Sequence, residues 1–448
     1  MRDRRCWHSG FFRVSCTGGI SAVLLLCCLA GADAGDPLTL EQSIHEAMAK
    51  SRRLRAQEER VDQARSVKNQ ARADFLPKVG TTYGYTRDSE TRLLRSTLMT
   101  TGRPVAISSQ DNYQWTGFVK QPIFTGFALL STYRLAELGI DLSETQLELE
   151  KLDLTLRVKE SYFNVLIADK SVEVAEREVE SLRSNVKVAS NFYDVGIIPV
   201  NDLLKAEVEL ANAEQNLVKA LKAAEASRAA FNTVLFRPTQ QPVELVDILT
   251  HKREVGKYET YVQSAMDGRP ELKVVDINLL RTDEQIRLSR SKLYPEVSLN
   301  YQYTKQGDSP EVSGSEFHDA GYWQAVTTLT WTFWEWGKTH YAEKEKRSVK
   351  RELMETKAEL EANIKLEVKQ AVLDLDVAEQ NIPTTQKAVR QAEENLRVNE
   401  ERYKAQVTTI TEVLDAQALL TRARVNFYRA LYDHNLAKAR LERAVGKY

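Results

Sequence analysis

The sequence predicts a mainly α-helical chain, interrupted by four short β-strands and built as a tandem duplication. Three observations carry this: a self-match at a fixed offset, long seven-residue apolar periodicities, and four segments that alternate with period two. Among the 448 residues Gly (19) and Pro (11) are scarce and 28% are charged. That balance favours long helices over a sandwich or a disordered chain. The 62 basic and 63 acidic side chains nearly cancel, so no one-sign field exists and nucleic acid is not an expected partner.

The duplication organises the rest of the chain. Ala47, Met48 and Leu54 recur as Ala265, Met266 and Leu272, an offset of 218. Pro77 to Tyr85 recurs at the same offset as Pro295 to Tyr303. Further on the offset falls to 210: Tyr193 matches Tyr403, Leu204 matches Leu414 and Ala206 matches Ala416. The expected organisation is repeat 1 over 35–237, a linker over 238–258 and repeat 2 over 259–448.

Within each repeat a heptad marks long helices. Val158, Val165, Val172, Val179, Val186 and Tyr193 are answered by Val368, Leu375, Ile382, Val389, Leu396 and Tyr403. After a short break the series resume as Leu203, Leu210, Leu217, Ala224 and Phe231, and as Val413, Leu420, Phe427, His434 and Leu441. Their companions are mostly Ala, which lets helices approach closely. A helix from Ala128 to Phe192 would run roughly 95 Å, long for a compact domain. A second leucine stripe, including Leu135, Leu142, Leu149 and Leu156, suits a wall of helices with neighbours on more than one face.

Four segments change period: about 77–86, 113–122, 295–304 and 322–333. In the first, Val79, Thr81, Tyr83 and Tyr85 alternate with Lys78, Gly80, Thr82 and Gly84. In the last, Trp323, Trp331 and Phe333 crowd the ends. Length and aromatic placement suit transmembrane β-strands. Four strands cannot close a barrel, and an open edge is forbidden in lipid. Two chains would give a barrel filled by side chains, and three would give twelve strands and a lumen. The polar segments 86–112 and 305–321 would then be the outer loops.

Residues 1–34 read as a secretory signal. Arg2, Arg4, Arg5 and Arg13 form a basic start, Ile20 to Ala30 an apolar stretch, and Ala32-Asp33-Ala34 a cleavage pattern. All four Cys lie before that point, so neither a disulfide framework nor a Cys metal site is expected in the mature chain.

The duplicated order of helix, strand, polar loop, strand, long helix, tight turn and helix resembles the TolC family of outer-membrane channels. So do the two tip strings, Tyr193-Asp194-Val195-Gly196 leading to Asp202-Leu203-Leu204, and Tyr403-Lys404-Ala405-Gln406 leading to Glu412-Val413-Leu414. The resemblance implies a homotrimer with a 12-stranded β-barrel in the outer membrane, continuous with a 12-helix α-barrel tunnel in the periplasm. It also implies docking to a periplasmic adaptor and an inner-membrane pump of RND, ABC or MFS type. The duct would be passive, with no cofactor and no catalytic residue. Drugs are the first expected cargo and proteins secreted by the type I route the second; the scattered Met residues argue against a dedicated copper exporter. A soluble periplasmic coiled-coil adaptor or scaffold is the alternative reading.

The family pattern places a gate at the helix turns, 194–200 and 404–410. Its positions fall on Asn201, Asp202, Tyr403, Thr408, Glu412 and Asp415, and the adaptor-contacting tip on Gly196, Ile197, Pro199, Gln406 and Val407. Thr408 stands where the resemblance implies a latching Arg, so the expectation is a gate with fewer charge-assisted bonds. A Tyr403–Asp202 hydrogen bond remains open. Glu412 and Asp415 would form stacked carboxylate rings in a trimer, although Thr409-x-x-Glu412 also reads as a capping box. Gly196 suits a left-handed helix end and Pro199 a first helical position. Gln406 in place of Gly predicts unequal adaptor contact at the two tips.

Enzymatic motifs fail. Gly337-Lys338-Thr339 ends like a phosphate loop, but Thr332 occupies the required glycine position. The six His are scattered, and His434 reads as a packed core histidine.

Overall fold

The computed structural model describes residues 37–94, 104–250 and 256–448. The expected secretory segment 1–34, part of the expected first outer loop and part of the expected linker lie outside them. The elements are α1 (Leu40–Lys50), α2 (Arg52–Ala73), β1 (Lys78–Arg87), β2 (Leu93–Leu94), β3 (Val105–Ala106), β4 (Asp111–Thr125), α3 (Ala128–Asp194) and α4 (Val200–Val234). The second half follows with α5 (Tyr258–Gly268), α6 (Pro270–Arg290), β5 (Glu296–Gly307), β6 (Gly321–Thr330), α7 (Lys338–Lys404) and α8 (Ile410–Ala444). The starts of α1, α2 and β1 recur 218 residues later, and both ends of α3 and α4 recur 210 residues later. The duplication is structural as well as sequential.

Strands β1, β4, β5 and β6 form one antiparallel sheet in that order. Its register puts most aromatic and aliphatic side chains on one face, with Phe118, Tyr322 and Val326 on the other. One face carries Val79 and Tyr83 of β1, Val119 and Trp115 of β4, Leu299, Tyr301 and Tyr303 of β5, and Trp323, Ala325 and Leu329 of β6. The other carries Thr82, Gln114, Thr116, Gln302, Thr304 and Gln324, with Thr116 and Thr304 hydroxyls 3.3 Å apart. The aromatic face is solvent-exposed in the chain, with Val79 at 76% and Trp323 at 65%. That exposure needs a non-aqueous neighbour. β6 stops at Thr330, short of the expected 333, because its last partner is Glu296, where β5 begins. Trp331, Phe333, Trp334 and Trp336 follow it, all exposed.

The helices continue the sheet. α3 lies against α2 and α6, and α7 against α6; further from the sheet, α3 lies against α4 and α8, and α7 against α8. The wall order is therefore α2-α3-α6-α7 near the strands and α4-α3-α8-α7 beyond. The seam is what the heptad dictates: Val158, Val165, Val368, Val413 and Ala206 are fully buried, and Phe231 packs edge-on against Tyr162. Each such large apolar side chain contributes about 1.5–3 kcal/mol on burial. α7 runs through Pro383 without ending; buried Ala378, Ile382 and Ala392 around it outweigh the lost backbone bond. His434 is 1% exposed, with Nε2 4.0 Å from Glu379.

At mid-height the linker crosses the wall. Leu38 and Leu245 form a parallel bridge, and the Tyr162 hydroxyl reaches the carbonyls of Leu38 (3.0 Å) and Val246 (2.7 Å). On the other repeat, Arg269, 3% exposed, binds Glu271 and Glu367, and Arg443 joins Asp153, Glu271 and Glu367.

The backbone specials repeat too. Gly126 and Phe127 match Trp336 and Gly337, Gly196 matches Gln406, and Phe236 matches Gly446; all have positive φ. In each pair one copy keeps Gly and the other holds a bulkier residue in the same left-handed turn. At Gly126 the space is also closed, since a Cβ would sit 2.4 Å from the Ser291 carbonyl.

Candidate functional site

The two helix turns at the end remote from the sheet have one geometry. In the first, the Gly196 amide donates to the Tyr193 carbonyl (2.8 Å) and the Ile197 amide to Phe192 (2.8 Å). In the second, the Gln406 amide donates to Tyr403 (2.9 Å) and the Val407 amide to Arg402 (2.8 Å). This is the Schellman pattern, with a left-handed residue after the last helical turn. Gln406 adopts φ +60° and Gly196 φ +73°, so the two tips share one backbone turn and differ in side chains. Gln406→Gly should therefore stabilise the chain by about 0.5–1 kcal/mol. An unchanged or lower midpoint in thermal unfolding would contradict the left-handed assignment.

Two expectations at the turns need correction. Pro199 is the N-cap of α4, with ψ 153°, and not its first helical residue; its carbonyl accepts the Asp202 amide at 3.1 Å. Thr409 makes no side-chain cap bond, so the capping box with Glu412 is not formed and Glu412 is left exposed.

The hairpins meet through a small-residue core of Ala189, Ala206, Val413 and Ala416, closed by Tyr403 against Phe192 at 5.5 Å. Tyr403 is 5% exposed and its hydroxyl has no hydrogen-bond partner among the described residues. Burial, and then the Asp202 charge, raise its pKa. The Tyr403–Asp202 hydrogen bond left open by the sequence is thus not formed. Tyr403→Phe should leave the stability of the chain unchanged or raise it by about 1 kcal/mol, since it removes an unsatisfied buried hydroxyl. A loss of that size in urea unfolding would mean that the hydroxyl has found a partner.

Asp202 faces a cation that the sequence reading did not single out. Lys205 Nζ lies 3.8 Å from the Asp202 carboxylate and donates to Thr411 Oγ1, on the other hairpin, at 3.4 Å. Thr408, where the Arg was expected, is half-buried. Thr408 itself offers no charge, but Lys205 places a cation between the hairpins. Its signal was available: Lys205 is the repeat mate of Asp415. Both line a groove of about 430 Å³ between α4 and α8, together with Asn201, Thr411, Leu204 and Leu414. Asn201 and Asp415 are thereby brought together; Thr408 and Glu412 do not line it. Further along, Ser181 donates to Gln417 Oε1 (2.7 Å), Gln417 being 3% exposed. Burial raises the pKa of neighbouring Glu178. Among the described residues no group of three His, Cys, Asp or Glu is placed to hold a metal, and no helix is long and apolar enough to cross a membrane.

A four-stranded sheet with an exposed aromatic face, continued by paired helical hairpins, is matched over both repeats by one family. Residues 43–235 and 261–447 fit the description Outer membrane efflux protein. The chain belongs to the outer membrane efflux protein family. Like other outer membrane efflux proteins it is an outer-membrane chain with a helical part projecting into the periplasm. It is 23% identical over 393 residues to the outer membrane protein TolC of Vibrio cholerae, covering 84% of this chain and 83% of that one. It is 25% identical over 268 residues to the cobalt-zinc-cadmium resistance protein CzcC of Cupriavidus metallidurans, covering 60% of this chain but 59% of CzcC. In fold it is similar to the outer membrane protein VceC of Vibrio cholerae, with TM-score 0.78 at 15% identity over 91% and 96% of the two chains.

Proposed function

We propose that the chain is one subunit of a homotrimeric exit duct, the outer-membrane end of a tripartite export system. The observation that carries the proposal is an asymmetry between repeats. Tyr403 is 5% exposed beneath Phe192 of the preceding hairpin, but its mate Tyr193 is 42% exposed, because no hairpin precedes it within the chain. Likewise Ile410 is 0% exposed and its mate Val200 49%; Leu431 is 8% exposed and its mate Leu221 46%. A second copy set against α4 supplies the missing neighbour. The sheet needs the same closure, since β1 and β6 are both edges, and open edges are not tolerated in lipid. Three copies give twelve strands, wide enough for a lumen.

In such a trimer the hairpin turns converge at the periplasmic end. Asn201, Asp202, Tyr403 and Thr408 surround the constriction, and Glu412 and Asp415, both exposed, supply carboxylate rings that favour cations. Gly196, Ile197, Pro199, Gln406 and Val407 form the edge offered to a periplasmic adaptor, and through it to an inner-membrane pump of RND, ABC or MFS type. The duct does no chemistry; the pump selects the cargo. Small molecules such as drugs are the first class we propose, with type I protein secretion as the second use.

Planar-bilayer conductance tests the gate. Purified protein should form discrete channels, and Lys205→Ala should raise the open fraction roughly two- to fivefold, the size expected for an exposed ion pair. Lys205→Arg should restore the closed state. No channel events from reconstituted protein would refute the duct, and an unchanged open fraction in Lys205→Ala would refute the latch alone.

A further inference from the structure

Where the apolar face of the sheet meets the helical wall, the chain carries a pocket that export does not use. It holds about 370 Å³ between the start of α3 and the end of α6, and is lined by Phe127, Leu130, Arg134, Arg287, Arg290 and Tyr294 among others, with no carboxylate in its lining. Its rim belongs to the lipid-facing side. Phe124 pairs with Val297 and so shares a face with Leu299, Tyr301 and Tyr303. Its ring meets Phe127 edge-on at 5.3 Å, and Phe127 meets Tyr294 edge-on at 5.8 Å.

The floor is cationic. Arg134 and Arg287 share Glu284 at 3.6 and 2.6 Å, and Arg290 and Arg347 share Glu343, both at 2.7 Å. Counting Arg347, which stands behind the lining, four guanidinium groups against two carboxylates leave an excess of two positive charges. The Arg134, Arg287 and Arg290 side chains remain 45%, 56% and 46% exposed, so donors stay available. Guanidinium forks fit phosphate oxygens, and aromatic rings gather at the membrane interface.

We propose that this pocket holds the phosphate of an anionic glycerophospholipid of the phosphatidylglycerol type, from the periplasmic leaflet, with its acyl chains against Phe124 and Phe127. A free phosphate would need the arginines but give the aromatic rim no role. The pocket is formed by α3 and α6, inside the wall of one subunit, and needs no second copy. The inference rests on the lipid-facing assignment of the sheet and goes beyond the export reading.

The test is native mass spectrometry of the detergent-extracted protein titrated with phosphatidylglycerol or phosphatidylethanolamine. The unaltered protein should retain phosphatidylglycerol in preference by roughly fivefold or more. Arg287→Gln should abolish the preference. Lys350→Gln, which removes a cation paired with Asp283 outside the pocket, should keep it. The proposal is overturned by equal retention of both lipids, by an equal loss in Lys350→Gln, or by complete displacement with inorganic phosphate. The subunit mass in the same spectra reports whether each variant is assembled. A protein that partitions to the soluble fraction would instead remove the membrane reading itself.

Discussion

Ala325→Arg should cost the membrane-inserted protein about 2–4 kcal/mol, while Gln324→Arg, one residue away, should cost almost nothing. Ala325 pairs with Tyr301 at the middle of β6, on the face shared with Leu299 and Trp323. In the proposed barrel a guanidinium there enters hydrocarbon. Gln324 pairs with Gln302 on the opposite face, and their amides are hydrogen-bonded at 3.1 Å. In the proposed barrel an Arg at that position points into the water-filled side. Urea unfolding of vesicle-reconstituted protein measures both. Equal costs, or a larger cost at Gln324, would reverse or abolish the facing of the sheet.

The second large effect lies at the equator. Arg269→Ala should cost about 3–5 kcal/mol, because truncating one member of a buried ion network leaves its partners uncompensated. Arg269 is 3% exposed and pairs with both Glu271 and Glu367, which it shares with Arg443. Burial alone would raise the Glu271 carboxyl, but the Arg269 guanidinium, with help from Arg443, holds it below its ordinary value of 4.5. A carboxylate lowered on folding stabilises the protein above its unfolded pKa, and that contribution is lost as pH falls through the folded one. The unaltered protein should therefore lose stability as pH drops below about 4.5, and in Arg269→Ala that acid limb should flatten. A variant with unchanged stability and an unchanged acid limb would show that the network is incidental.

Much of this architecture was legible in the residues. The offsets of 218 and 210 reappear in the bounds of helices and strands because long periodic segments leave little freedom in assigning them. The alternation of Val79, Thr81, Tyr83 and Tyr85 correctly separated two faces of the sheet for the same reason. The site was less legible. Lys205 is distant in sequence from Thr411, and only the packing of one hairpin on the other brings them together. Tyr403 and Tyr193 look equivalent as letters, yet one is covered and the other is not, because a chain with two repeats has only one internal junction. Gln406 carries no glycine signature, and its left-handed turn shows only when the repeat is laid over Gly196. The capping box at Thr409 failed because a motif of four letters says nothing about where a side chain turns.

The central claim is that exposed edges within one chain are interfaces between copies. The native mass of the detergent-extracted outer-membrane protein tests it most directly. We predict a trimer, which joins β6 of one copy to β1 of the next and covers Tyr193, Val200 and Leu221. A monomer recovered from the soluble periplasmic fraction would contradict it and leave the helical repeat as a coiled-coil scaffold or adaptor.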